Sequence, residues 1–275
     1  MNESASSRAS PADREAVPRG GDADYGVIGT EYAHYRREEP AIAAVIHRML
    51  GSAVTVVNVG AGAGSYEPRG RRVTAIEPSA VMRSQRGGQL PAAVDALAED
   101  LPFRDDEFDG GMSTFSVHQW RDLKRGLSEL RRVTRGPVVV LTCDPDALDR
   151  FWLVDYAPEV IEVERRRYPA PRRIARILGD DAIVEPVPVP LACVDGFGEA
   201  YYGRPELLLD PGARRANSAW SFVPADVHER FEQELGRDLA DGTWDERYGT
   251  LRSVAQFEGS LVAVYSAGAS GSSPV

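Results

Sequence analysis

The segment VVNVGAGAGSYE, residues 56–67, decides the fold of this chain. Three glycines at alternate positions follow an apolar, β-branched run, so a buried strand is predicted to end in a turn with little side chain. Dinucleotides, nucleotide phosphates and S-adenosylmethionine all bind at glycine-rich turns. The segment by itself therefore leaves the ligand open.

Two of these ligands are disfavoured by residues of the turn itself. A nicotinamide or flavin fingerprint requires G-x-G-x-x-G, and its third glycine would fall at Ser65. A triphosphate-binding loop requires Gly-Lys-Ser/Thr, and the turn contains no lysine. The remaining ligand lacks a pyrophosphate and offers a ribose to a carboxylate. Glu77, at the end of the next predicted strand, supplies that carboxylate.

Short apolar runs alternate with helical patterns through the first half of the chain. The predicted strands are 53–59, 71–77, 92–97, 108–117, 137–143, 184–190 and 260–267. Helical patterns occupy 38–50, 78–86 and 121–133. This alternation predicts an α/β fold with a Rossmann-like, seven-stranded, mostly parallel sheet that carries helices on both faces. The proline-rich run 184–190 is typical of an edge strand.

The chain is predicted to form one large domain between two tails. Residues 1–24 are rich in Ser, Ala, Pro, Gly and charge, which indicates a disordered tail, and 268–275 are expected to be flexible. Residues 25–267 form the domain. Within it, the segments 144–180 and 191–250 lose the strand–helix rhythm and are expected to build a mainly helical lid over a substrate pocket.

The composition favours a small-molecule partner. A net charge of −10 opposes nucleic-acid binding, and no apolar run reaches the roughly 20 residues of a membrane span. Two cysteines form no disulfide framework, and the histidines are widely scattered, so no metal site is expected. We expect a cytoplasmic protein, monomeric or homodimeric, without membrane or nucleic-acid partners.

Four motifs, in order, resemble those of class I S-adenosylmethionine-dependent methyltransferases. They are VVNVGAGAGSYE, VTAIEPS, LAEDLPFRDDEFD, and FSVHQW followed by SELRRV. The resemblance covers roughly residues 25–143 and is to the small-molecule branch, ubiquinone/menaquinone-type or methyltransferase type 11-like. The segment EYAHYRREEP (31–40) resembles the Tyr-Arg stretch that precedes the core in this branch.

The resemblance implies S-adenosyl-L-methionine as cofactor and S-adenosyl-L-homocysteine as product. The cofactor-binding positions that it implies are Tyr32, Arg36, Asn58, Gly60, Gly62, Gly64, Glu77, Ala98, Glu99 and Ser113. Arg36 suits a bidentate pair with the cofactor carboxylate, or is a helix-surface charge. The chain departs from the family at Leu97, where members commonly have Asp, and at Asn58, where many have an acid.

Candidate residues for the acceptor side follow the strand ends. His118, just past the fourth predicted strand counted in the family's order, is the candidate general base, or else lines the pocket or caps a helix. Aromatic residues of the lid segments suit a flat or apolar acceptor, although such residues also form a lid's own core. The candidates for acceptor binding are Tyr35, Trp152, Tyr156 and Tyr201. Asp195 is expected to form a turn with Gly196.

The leading hypothesis is methyl transfer to O, N or C of a small molecule, of an aromatic or heteroaromatic natural-product type. One alternative is a relative that binds the cofactor but catalyses a different reaction. Another is a binding or regulatory protein with an occupied cofactor pocket. Methylation of tRNA or protein is a further alternative, which the acidic charge disfavours.

Overall fold

The computed structural model describes residues 32–268 and, within them, the side chains from residue 34 onwards. The predicted tail 1–24 and all but the first residue of the predicted tail 268–275 lie outside the described residues, as do residues 25–31.

The centre of the fold is a six-stranded sheet with strand order β2-β1-β3-β4-β8-β5. Its strands are β1 (Thr55–Val59), β2 (Arg72–Ile76), β3 (Gly110–Thr114), β4 (Val138–Cys143), β5 (Ile183–Pro186) and β8 (Leu261–Ser266). The first four pair in parallel, and β8 runs antiparallel to both of its neighbours. The mostly parallel α/β fold is confirmed, and β5 is an edge strand as its prolines predict.

The predicted count of seven strands is wrong for the described residues, because 92–97 does not form a strand. Val94 makes a single bridge to Ile76, through hydrogen bonds with Ala75 and Glu77 of 2.8 and 3.0 Å. The segment lies outside β2 with Val94 36% exposed. An alanine-rich segment with no buried face has little to stabilise a longer ladder.

Alternate residues of the strands face two separate apolar cores. Val139 and Leu141 of β4 belong to one core, whereas Val138 and Val140 belong to the other. This pattern is expected for a sheet that is covered on both faces. The described helices are α1 (Tyr32–Tyr35), α2 (Pro40–Met49), α3 (Ala80–Ser84), α4 (Leu123–Arg132), α5 (Leu153–Tyr156), α6 (Pro158–Arg167), α7 (Pro171–Leu178), α8 (Pro211–Arg215), α9 (Ala225–Asp241) and α10 (Thr243–Tyr248).

The starts of two of these helices are set by capping residues, and the two helices cover opposite faces of the sheet. At the start of α2, Glu39 accepts a hydrogen bond from the Ala41 amide and Pro40 occupies the first turn. At the start of α4, Asp122 caps the Arg125 amide. The buried residues of α2 pack in the first core and those of α4 in the second. No described helix combines the length and the apolar content that a membrane span requires.

Most of the chain between β4 and β8 is helical or irregular. Besides α5 to α10 it contains 3-10 helices at Pro145–Arg150, Gly198–Tyr201, Pro205–Leu209, Ser218–Phe222 and Gly249–Ser253; a further one, Val117–Gln119, follows β3. A two-stranded sheet pairs β6 (Val189–Pro190) with β7 (Gln256–Phe257). Buried residues of α5, α6, α9 and α10 share the first core with α2 on one side of the central sheet, whereas Ile174 and Leu178 of α7 belong to the second core, with α4.

Candidate active site

The glycine turn after β1 adopts a backbone that requires glycine. Gly60, Gly62 and Gly64 have φ angles of +72°, +51° and +98°, values that residues with a Cβ rarely adopt. A Cβ on Gly60 would lie 1.8 Å from Oγ of Ser116, on the segment that follows β3. The turn therefore packs closely against the neighbouring strand end.

Glu77 follows β2 and reaches across to this turn. Its carboxylate accepts hydrogen bonds from the amides of Gly62 and Ser79, both at 2.8 Å, and the side chain is buried. Burial raises the pKa of the Glu77 carboxyl, while the two amide bonds oppose that shift. Because a carboxylate has about four acceptor positions, Glu77 retains capacity for two ribose hydroxyls.

A buried ion pair that sequence reasoning missed supports the turn from beneath. Arg86 donates to both carboxylate oxygens of Glu67, at 3.0 and 2.9 Å, and Asn58 Nδ2 donates to the same carboxylate at 3.1 Å. The Arg86 and Glu67 side chains are 4% and 2% exposed. Oδ1 of Asn58 is buried and has no hydrogen-bond partner among the described residues. Asn58 thus lies at the end of β1 with one acceptor unused.

Arg36 belongs to a second buried cluster. Its Nε donates to Oδ1 of Asp195 at 2.6 Å, and the Tyr66 hydroxyl donates to Oδ2 of Asp195 at 2.7 Å. Burial, followed by the Asp195 charge, raises the pKa of Tyr66. The expectation that Asp195 forms a turn with Gly196 is wrong, because the backbone of Asp195 forms an antiparallel bridge with Arg36. Its carboxylate, 2% exposed, is also the ion-pair partner of Arg36. The Arg36 guanidinium also lies over the ring of Phe115, 5.1 Å from its centroid.

The other positions implied for the cofactor surround the same strand ends. Ala98 is buried, and Oε1 of Glu99 accepts a hydrogen bond from the Asp122 amide at 3.1 Å. Ser113 is fully buried in β3, where it is the register partner of Val140. The side chain of Tyr32 lies outside the described part of the structure.

A recess of about 570 Å³, including its open mouth, lies beyond the ends of β3 and β4. His118 and Tyr168 face each other on its wall, with ring centroids 4.4 Å apart. Further lining residues are Arg36, Phe115, Gln119, Cys143, Phe197 and Asn217. Concave recesses lined by aromatic side chains and a few polar groups are typical of small-molecule sites.

The aromatic residues predicted to contact an acceptor do not line this recess. Trp152 is 2% exposed, and its Nε1 donates to the Tyr202 carbonyl at 3.0 Å. Tyr156 is equally buried and donates to Asp238 at 2.9 Å. Tyr201 is also buried, whereas the Tyr35 hydroxyl donates to Asp210 at 2.7 Å. Trp152, Tyr156 and Tyr201 pack in the first core, where the inserted segments bury their apolar side chains. Tyr35 lies on α1, which contacts α8.

Two carboxylates that the sequence did not single out line the recess. Glu199 is 4% exposed, and both of its oxygens accept from the Ser260 amide, at 2.8 and 2.9 Å. Glu164, on α6, is half-buried, and the described structure gives its carboxylate no hydrogen bond and no ion pair. Burial raises the pKa of each carboxyl to about 7. An acid in a charged helix reads as a solvated residue, so no sequence signal marks Glu164.

The parallel sheet, the glycine turn and the carboxylate after β2 define a nucleoside-binding α/β domain. Residues 57–141 match the family described as methyltransferase domain. These residues are thus a class I S-adenosylmethionine-dependent methyltransferase domain, the chain is an enzyme of that class, and S-adenosylmethionine is its expected cofactor. The resemblance seen in the sequence motifs is confirmed.

Solved structures of other proteins have a similar fold. A protein of Anabaena variabilis ATCC 29413, provisionally described as a methyltransferase from an antibiotic biosynthesis pathway, is 28% identical, with a TM-score of 0.79 over 85% of this chain and 99% of that chain. The [4+2]-cyclase SpnF shares the fold at 13% identity, with a TM-score of 0.51 over 89% of this chain and 93% of that chain. No curated protein sequence matches the chain significantly.

Proposed function

We propose that this enzyme transfers the methyl group of S-adenosylmethionine to a small-molecule acceptor that binds in the recess. The observation that carries the proposal is the position of the segment 115–120. Ser116 of this segment packs against Gly60 of the glycine turn, while Phe115 and His118 line the recess. One short segment therefore contacts both the turn expected to bind the cofactor and the recess. Direct transfer requires that the two sites be adjacent in this way.

The proposed cofactor contacts are those that the family resemblance implies, and the arrangement of the strand ends supports them. Gly60, Gly62 and Gly64 present bare backbone to the methionyl and ribose parts, and Glu77 accepts the ribose hydroxyls. Ala98 and Glu99 contact the adenine, and the Ser113 carbonyl and Asn58 lie towards the methionyl ammonium. Arg36, together with Tyr32, binds the cofactor carboxylate, which competes with Asp195 for the same guanidinium.

We also propose that residues 25–267 act as one methyltransferase domain whose inserted segments, 144–180 and 191–250, enclose the acceptor. Tyr168 lines the recess from the first segment, and Phe197 and Asn217 line it from the second. The aromatic lining supports an aromatic or heteroaromatic acceptor. The similarity to the Anabaena protein supports a natural product as acceptor.

The chemistry is an in-line displacement at the methyl carbon of the sulfonium. The acceptor atom forms a bond to that carbon as the bond to sulfur breaks, and the electron pair stays on sulfur, giving S-adenosylhomocysteine. The protein's main contribution is to hold the two reactants in line. Where the acceptor must lose a proton, His118 on the recess wall takes it.

Replacing Glu77 with alanine is expected to weaken binding of S-adenosylhomocysteine by about 1.5–3 kcal/mol, the scale of hydrogen bonds to a charged group. Isothermal calorimetry on the purified chain measures this. Asp95→Asn is a matched control, because Asp95 is a nearby carboxylate bound to Arg83 at 3.1 Å and 47% exposed. If Glu77→Ala binds as tightly as the control, the ribose assignment fails.

Replacing His118 with glutamine is expected to lower transfer of labelled methyl into a metabolite extract by about a hundredfold or more, the lower end of the usual contribution of a general base. Binding of S-adenosylhomocysteine is expected to stay within about twofold of wild type. His228→Gln is the control, since His228 contacts the Trp220 carbonyl on another part of the inserted segments. Equal turnover in both variants removes His118 from the chemistry.

A further inference from the structure

We infer that the acceptor carries a protonated amine, which the carboxylates of Glu164 and Glu199 bind in the recess. This inference rests on the proposed function, because it names the chemical class of the molecule that occupies the recess. It assigns the two acids to recognition and leaves open which atom receives the methyl group.

The recess contains more negative than positive side chains, which favours a cationic ligand. Glu164 and Glu199 line it, and the positively charged lining residue, Arg36, binds Asp195 through its Nε at 2.6 Å. Glu199 receives hydrogen bonds only from the chain around Ser260, and Glu164 receives none in the described structure. Two carboxylates in one partly dry recess remain without a cation bound to them, and buried charges are ordinarily paired.

A hydroxyl group also lies in the recess beside the carboxylate of Glu199. Ser260 is fully buried and lines the recess. Its hydroxyl lies close to the Glu199 carboxylate and the Cys143 thiol. A hydroxyl that donates to one of these groups retains acceptor lone pairs, so this oxygen can also accept from an ammonium N–H. The Ser260 hydroxyl and the two carboxylates together supply enough hydrogen-bond acceptors for the three N–H donors of a primary ammonium group.

The rest of the lining fits the carbon skeleton of such a ligand. The ring centroids of Phe115 and Phe197 are 5.3 Å apart, and those of His118 and Tyr168 are 4.4 Å apart. These aromatic rings line the same recess as Glu164 and Glu199. Aromatic faces attract cations and also accept apolar rings. Burial and the charges of Glu199 and Glu164 raise the pKa of the Cys143 thiol, which stays neutral. The lining therefore favours an arylalkylamine over its alcohol or carboxylic acid.

The pH dependence of binding follows from the same groups. The pKa of both carboxyls is raised to about 7, so each becomes protonated as the pH falls through 7 and loses its attraction for a cation. The charged and titratable groups around them are Arg36, His118, Cys143, Arg167 and Tyr168. Arg36 and Arg167 lower the pKa of Glu164, and burial keeps Cys143 and Tyr168 neutral. Amine affinity is therefore expected to decrease from pH 8 to pH 6.

The test uses the full chain saturated with S-adenosylhomocysteine and a panel of arylalkylamines, each matched with the alcohol and the carboxylic acid of the same skeleton. Calorimetry at pH 8 is expected to find amines that bind at least about tenfold more tightly than their matched alcohols and acids. Glu164→Gln is expected to reduce that preference at least fivefold, and Glu199→Gln provides a second variant at the other carboxylate. Glu162→Gln, an exposed acid on the same helix paired with Arg166, is expected to retain it.

The outcomes separate this inference from the proposed function. Binding of no amine in the panel, equal binding of an amine and its alcohol, or an unchanged preference in folded Glu164→Gln overturns the amine assignment. Label from S-adenosylmethionine that enters only neutral or anionic molecules of an extract overturns it as well. Amine binding without methyl transfer to any small molecule supports the recess assignment and instead contradicts the proposed function.

Discussion

Asp195→Asn is expected to lower the free energy of unfolding by about 3 kcal/mol, as measured by urea denaturation. Removing one partner of a buried ion pair leaves the other charge uncompensated, which costs about 3–5 kcal/mol. Arg36 is 11% exposed and Asp195 2% exposed, so water cannot replace the lost carboxylate well. The Tyr66 hydroxyl loses its charged acceptor in the same step.

The chain contains a matched control for this change on its surface. Asp155 accepts hydrogen bonds from Arg247 and Tyr248, which reproduces the Arg–Asp–Tyr arrangement with side chains that are 43% exposed for Asp155 and 48% for Arg247. Asp155→Asn is expected to cost less than about 1 kcal/mol, because water screens an exposed pair. Equal losses in the two variants would show that the Arg36 cluster contributes no more than a surface pair.

The same variant tests the assignment of Arg36 to the cofactor carboxylate. With Asp195 neutral, Arg36 has one competitor fewer, so S-adenosylhomocysteine is expected to bind at least as tightly as to the wild type. A loss of affinity in a folded Asp195→Asn chain would mean that the carboxylate at 195, and not Arg36 alone, supports the cofactor.

Gly60→Ala is expected to lower the free energy of unfolding by about 2–4 kcal/mol, the sum of a left-handed backbone cost and an overpacking cost. The φ angle of +72° disfavours any Cβ, and the added atom would overlap Ser116 Oγ at 1.8 Å. Because relief of this overlap must shift the turn or the 115–120 segment, cofactor binding is expected to weaken as well. Thermal unfolding with and without S-adenosylhomocysteine measures both effects.

Two further variants divide this loss into its causes. A Cβ at Gly88 meets no atom within 4 Å, so Gly88→Ala is expected to be nearly neutral. Combining Gly60→Ala with Ser116→Gly removes the overlap but not the backbone cost, and about half of the lost stability is expected to return. If the double variant is no more stable than Gly60→Ala, overlap with Ser116 is not the reason that position 60 requires glycine.

The sequence predicted the features that depend on neighbours along the chain. The glycine turn, the carboxylate after β2 and the edge character of 184–190 each follow from residue types at a known distance from a strand end. Glu77 was assigned to the ribose from this spacing, and the structure places it against the Gly62 amide, although its role in binding remains a prediction. The methyltransferase class was recognisable for the same reason.

The features that depend on contacts between distant segments were not predictable in this way. Asp195 meets Arg36 across 159 positions, and Glu199 meets Ser260 across 61. Neither acid stands in a motif. Glu67 lies inside the glycine-turn segment itself, yet only the fold shows that its carboxylate is buried against Arg86. Residue types alone could not distinguish these acids from solvated ones.

The strand count and the aromatic residues illustrate a further limit. The run 92–97 occupies the place of a strand in the alternating pattern, but it lies beyond β2 without a buried face, and only Val94 forms a bridge to Ile76. Trp152 and Tyr156 have large apolar side chains that could contact an acceptor or form a core. In the structure both are buried in the first core. Only knowledge of which faces are covered resolves such choices.

Cys143, the last residue of β4, and Leu261, the first residue of β8, are directly opposite in the β4–β8 ladder, and the excursion between them adds only the edge strand β5 to the central sheet. The Asp144 amide donates to the Ser260 carbonyl at 2.7 Å, which closes this excursion at its base like the stem of a loop. Insertions, deletions or whole replacements within the excursion leave its two anchor points in register. A lineage of such enzymes can therefore diversify its acceptors by remodelling this excursion while inheriting an unaltered donor half.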